Sequence, residues 1–152
     1  MATETIHASA VFAAKPATIY EAWLDGEKHA AMTGGAATSD ARVGEGFTAW
    51  DDYITGKHLE LQPGRRIVQA WRTTDFPDSA PDSRLIVLLD PEAGGTRVTF
   101  VHTDIPQGQS ADYESGWEEH YFAPMRRYFA KPKKKATKKK TARKKTTKKN
   151  KP

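Results

Sequence analysis

The chain contains no cysteine. Disulfides, thiolate nucleophiles and cysteine-based metal sites are therefore excluded, and the composition suits a reducing compartment. No apolar run approaches the ~20 residues needed to cross a bilayer. The opening MATETIHASAVFAAKPA carries Glu4 where a secretory leader would carry Lys or Arg. These features predict a soluble, cytoplasmic protein without membrane insertion. Also missing are G-x-S-x-G, the phosphate-binding P-loop, G-x-G-x-x-G and H-E-x-x-H. The adjacent side chains of EEH at Glu118 to His120 point to different faces of a helix, which is wrong for sharing a metal. Asp51, Asp52, His58 and His102 remain as acid-base candidates, but paired acids at a strand end ordinarily form a solvated turn. The expectation is a non-enzymatic protein with no cofactor and no metal.

Charge is unevenly placed. The formal net charge of +5 averages two different pieces. Residues 1–130 hold eleven Lys plus Arg against all nineteen Asp plus Glu, a net −8. Residues 131–152, KPKKKATKKKTARKKTTKKNKP, hold twelve Lys and one Arg without an acid, a net +13. About 130 residues suffice for one sizeable core. The last 22 have no large apolar side chain to contribute, and their like charges repel, so burial cannot offset the entropy of ordering them. The predicted organisation is a folded domain over 1–130 and a disordered Lys-rich tail over 131–152.

Within the domain, TIHASAVFAA alternates Ile6, Ala8, Ala10 and Phe12 with smaller or more polar residues, as a half-buried strand does. Pro16 suits the first turn of a helix carrying Ile19, Tyr20, Trp23 and Leu24. Gly26 breaks that helix, GEKHAAM forms a second short one, and TGG stops it. GFTAWDD, ITGKHLEL, RRIVQAWR, RLIVLLD and TRVTFVHTDI then read as strands joined by short turns, an antiparallel meander. Tyr113, Trp117, Tyr121, Met125 and Phe129 recur every four residues on a final amphipathic helix. Ser110 is placed to cap it, Asp112 and Glu114 lie in its first turn, and Arg126 and Arg127 in its last. Pro124 removes one helical hydrogen bond and crowds the carbonyl of His120, predicting a bend. The class is α+β, in the order β-α-α-β-meander-α.

That order, with KPATIYEAW, GKHLELQPGRRIVQAWR, GGTRVTFVHTDIP and GWEEHYFAPMRRYF at matching spacing, resembles the SRPBCC (START-like, helix-grip) superfamily. Within it, the wording is similar to the AHSA branch, activator of heat-shock protein ATPase homologue. The resemblance spans about residues 5 to 130. It implies a curved antiparallel sheet gripping the C-terminal helix, with an apolar cavity between them. It also implies a heat-shock ATPase as one kind of partner, but not one activity. On TRVTFVHT the bulkier parity is Val98, Phe100 and His102, so these point inward, and Ile67, Gln69 and Trp71 share one side of RRIVQAWR. Gln69, Trp71, Phe100, His102, Trp117 and Tyr121 are therefore the candidate residues for binding a small apolar or aromatic ligand.

The tail resembles the Lys/Ala/Thr/Pro arms of linker-histone-like proteins. It offers no aromatic side chain to stack on bases, and Arg143 is its one planar donor fork. What remains is sequence-independent neutralisation of DNA or RNA phosphates by Lys133, Lys134, Lys135, Lys138, Lys139, Lys140, Arg143, Lys144, Lys145, Lys148 and Lys149. A solubility arm without a partner is the competing reading of the same charges. Two functions stay open: a ligand-binding module localised by a basic arm, and a co-chaperone-like protein contacting a heat-shock ATPase.

Overall fold

A computed structural model describes residues 3–130. The nucleic-acid-binding residues expected at 131–152 lie outside the described residues. Strand β1 (Thr3–Phe12) is followed by helices α1 (Pro16–Leu24) and α2 (Gly26–Thr33). Six further strands come next: β2 (Thr38–Ser39), β3 (Gly46–Ala49), β4 (Ile54–Gln62), β5 (Arg66–Thr73), β6 (Ser83–Glu92) and β7 (Gly95–Pro106). The last helical run comprises α3 (Ser110–Trp117), a π-helical turn (Glu118–Phe122) and α4 (Ala123–Tyr128).

The sheet order is β1-β7-β6-β5-β4-β3-β2, antiparallel throughout. The predicted meander is thus present, and β1 closes its far edge by pairing Ala8 with Phe100. Register irregularities at Glu4/Ile6 and His58/Glu60 insert bulges that add curvature to β1 and β4. Inward parity follows the expected alternation: Ile6, Ala10 and Phe12, then Ile67, Gln69 and Trp71, then Val98, Phe100 and His102 are all buried. Helical aromatic rings fill the concavity. Phe12 meets Phe122 and Phe129 at centroid distances of 5.8 and 6.2 Å, and Phe100 meets Trp117 and Phe122 at 4.6 and 4.9 Å.

Three local details differ from the sequence reading. Gly26 does not end α1; it opens α2, and a side chain there would meet Thr38 Cα of β2 at 3.1 Å. The break falls at Asp25, whose carboxylate accepts the Lys28 N–H at 3.0 Å as a helix cap. Strand β2, only two residues long, carries too little pattern to be read from sequence. Ser110 is not the cap of the last helix: Gln109 holds that position without a side-chain bond, and Glu4 of β1 accepts the Ser110 N–H at 3.0 Å. The Ser110 side chain first, then the Gly108 and Ser110 backbone N–H groups, hold the Glu4 carboxyl below its ordinary range.

The last helix is also not continuous. Steps of four residues drift about 40° each on a 3.6-residue helix, so Tyr113 and Phe129 would lie about 160° apart. One extra residue in a turn takes back about 100°. The π turn supplies it, with the Ala123 N–H reaching the Glu118 carbonyl five residues back. Pro124, which has no N–H to give, stands directly after this turn. Tyr113, Trp117, Tyr121, Met125 and Phe129 are all buried as a result.

Candidate functional site

A cleft of about 290 Å³ opens between the β3–β5 end of the sheet and the final helical run. Its sheet wall is Trp50, just after β3, with Tyr53 just before β4, Ile54 at its start and Trp71 of β5. Its helical wall is Tyr113, Gly116 and Trp117 of α3, with His120 and Tyr121 of the π turn. Six of these nine residues are Trp or Tyr, which offer large apolar faces and leave a few polar tips. Gly116 leaves the helical wall open: a Cβ there would find only His120 Cδ2, at 4.0 Å. Trp71 stands at the centre, with its ring 5.4 Å from Trp117 and 5.2 Å from Tyr113.

Most polar tips around this cleft are already engaged. The Tyr113 hydroxyl lies 2.7 Å from both Thr73 Oγ1 and Gln109 Oε1, and Tyr53 donates to Asp75 Oδ2 at 2.6 Å. Burial raises the pKa of both phenols, and of Tyr121, keeping them protonated.

Behind the wall run three buried histidines whose partners fix their tautomers. His102 Nδ1 accepts the Trp117 indole N–H at 3.2 Å, so Nε2 carries the proton and faces Ser83 Oγ at 2.8 Å. His29 Nδ1–H donates to the Trp23 carbonyl at 2.9 Å, leaving Nε2 to accept from the Tyr121 hydroxyl at 2.9 Å. Gln69 accepts the Trp23 indole N–H at 3.4 Å and gives its amide N–H to His58 Nδ1 at 3.3 Å. His58 then donates to Ser39 Oγ at 3.1 Å. Desolvation lowers all three imidazole pKa values, that of His102 to about 3. Neutral rings with both nitrogens occupied orient the Trp and Tyr side chains in front of them and have no free site for acid-base chemistry.

The structure divides the six expected ligand residues into two sets. Trp71, Trp117 and Tyr121 line the cleft. Phe100 and His102 do not: both are fully buried, with Trp117 packed over them at 4.6 and 5.5 Å. Gln69 borders a separate void of about 10 Å³, room for one water. The parity that turned these residues inward was right, but depth below the helix decides which of them reach open space. Trp50, Tyr53, Ile54, Tyr113, Gly116 and His120 were missed as wall residues. The four-residue spacing that contains Tyr113 was the one available signal. Asp51, Asp52, His58 and His102 do not converge: Asp51 caps the Ala36 N–H at 3.2 Å, while the two histidines lie in separate bonded chains.

A curved antiparallel sheet closed over a C-terminal helix, with an aromatic cleft at one end of the contact, defines the helix-grip class. The chain belongs to the family described as Activator of Hsp90 ATPase homolog 1-like protein, whose model matches residues 13–130. The human Activator of 90 kDa heat shock protein ATPase homolog 1 is 25% identical over 118 residues, 78% of this chain and 35% of that protein. The Dictyostelium discoideum homologue is 25% identical over 128 residues, 84% of this chain and 33% of its own length. The chain thus spans about a third of the curated relatives it matches. Among crystal structures, an HSP90 activator from Plasmodium falciparum superposes with a TM-score of 0.75 at 19% identity, covering 82% of this chain and 94% of that one.

Proposed function

We infer that this protein is a non-enzymatic binding module that takes a small apolar or aromatic ligand into the cleft between β3–β5 and the final helix. The observation that carries this is the cleft itself: about 290 Å³ walled largely by Trp and Tyr, in a domain whose neighbouring core is tightly filled. Trp71, Trp117 and Tyr121 are the sequence-predicted contacts, joined by Trp50, Tyr113 and Ile54. Gly116 supplies the test. Gly116→Phe projects a ring into the cleft from a position with no neighbour to displace. The neutral fluorophore N-phenyl-1-naphthylamine should bind the wild type and lose at least ten-fold in affinity to Gly116→Phe at equal thermal stability. Equal binding by both proteins would place the probe elsewhere and overturn the reading.

A second reading rests on the family and on the human and Plasmodium relatives being named activators: this chain would stimulate a heat-shock ATPase through protein contact. Adding this chain to such an ATPase should raise its turnover, and no change at saturating excess would dismiss this reading. Sequence-independent association of residues 131–152 with DNA or RNA is supported by their charge alone.

A further inference from the structure

Among the wall residues Trp50 is the one whose polar atom is both buried and unmatched. Among the described residues, its indole Nε1 is the buried side-chain nitrogen or oxygen that finds no hydrogen-bond partner. It is closed off from solvent as well as from protein acceptors. Natural structures rarely leave such a donor orphaned, because burying it forfeits its bonds to water without replacement. The backbone beneath it is equally unusual: Trp50, Asp51 and Asp52 take φ values of 51°, 58° and 71°, three successive non-glycine residues in the left-handed region. That turn is held from outside. Asp51 exchanges its N–H and carboxylate with the Ala36 backbone, and Gly35 leaves room for the indole, since a Cβ there would meet Trp50 Cε3 at 2.5 Å.

We propose that Trp50 is the polarity-selecting residue of the cleft, giving its indole N–H to a hydrogen-bond acceptor on a neutral aromatic ligand. This rests on the pocket reading above and adds the ligand's chemical class. The pinned left-handed turn holds the backbone, so the indole reaches the acceptor by turning about its side-chain bonds, with the ring of His120, at a centroid distance of 5.2 Å, as its neighbour across the cleft. The acceptor is a carbonyl or ether oxygen and not a carboxylate. No Lys or Arg lines the cleft, and Asp51, Asp52 and Asp75 flank Trp50 and Tyr53 at its edge. An anion would meet those carboxylates without a compensating cation.

The test uses the full chain, two isosteric probes and the four indole N–H resonances of the protein. 2-Acetylnaphthalene carries a carbonyl where 2-isopropenylnaphthalene carries a methylene. The ketone should bind about ten-fold more tightly, a ratio that a single hydrogen bond to an otherwise unmet donor provides. In Trp50→Phe the ratio should fall to about one, and the resonance missing from that variant should move downfield in the wild type with the ketone alone. Equal affinities in the wild type would overturn the proposal while leaving the pocket intact. So would a Trp50 resonance that is already shifted upfield and unmoved by ligand, which would seat the N–H on the His120 ring. Failure of both probes to bind would overturn the pocket reading and this proposal with it.

Discussion

Protonating His102 would set a second ring proton against a donor, the Trp117 indole N–H, in a site that water does not reach. Burial holds its folded pKa at about 3, against 6.5 for the free side chain. Between those values the unfolded chain binds a proton that the folded chain excludes. The stability His102 contributes is therefore fully present above pH 6.5 and lost as pH falls toward 3, at up to about 1.4 kcal/mol per pH unit. His29 and His58 act in the same direction. Urea midpoints should be flat above pH 7 and drop between pH 6.5 and 5; a level profile would mean the rings are not held neutral. His102→Gln can keep an acceptor for Trp117 and a donor for Ser83, and should blunt that drop. His102→Leu leaves the Trp117 N–H unmet and should cost about 1–3 kcal/mol. At this scale the sequence disclosed direction but not depth. Alternation in TRVTFVHT turned Phe100 and His102 inward correctly, yet nothing in it shows that Trp117 lies over them.

Among the elements, the final helix shows how a spacing can be read correctly and its consequence missed. Four-residue recurrence from Tyr113 to Phe129 identified the buried face, but on an uninterrupted α-helix that face would wind away from the sheet. The π turn resolves the mismatch, and it also sets His120 and Tyr121 into the cleft wall. Deleting the exposed Glu119 removes one residue from that turn and lets the run become continuous α-helix, with Met125 and Phe129 still facing the core. The deletion variant should melt cooperatively with its helical circular dichroism preserved. A non-cooperative melt would show that the π turn answers Pro124 or the cleft and not the phase of the buried face. The left-handed turn at Trp50–Asp52 had no such signal, because WDD lacks the glycine or asparagine that usually announces positive φ.

For the molecule as a whole, the periodic segments end by Phe129, and the core formed by the sheet and helices is complete within the described residues. Residues 1–130 should therefore fold alone, with a melting temperature within a few degrees of the full chain; a larger loss would make the tail part of the fold. The two pieces carry −8 and +13. An extended arm of 22 residues reaches up to roughly 70 Å, so it can meet the acids of its own domain or a distant polyanion. A nucleic-acid duplex, with one phosphate per ~1.7 Å and counterions to release, is the denser competitor. The full chain should bind duplexes of arbitrary sequence with affinity falling steeply as salt rises, and residues 1–130 should not bind. Equal binding by the domain alone, or indifference to salt, would remove the tail from that role.

The account as a whole stands on the cleft being a ligand site. Native mass spectrometry of the full chain, purified from its own host, tests this most directly when wild type and Gly116→Phe are compared side by side. The wild type should carry an added mass of a few hundred daltons that is released on denaturation, and Gly116→Phe, its cleft occupied by its own ring, should not. Identical spectra from the two proteins would contradict it.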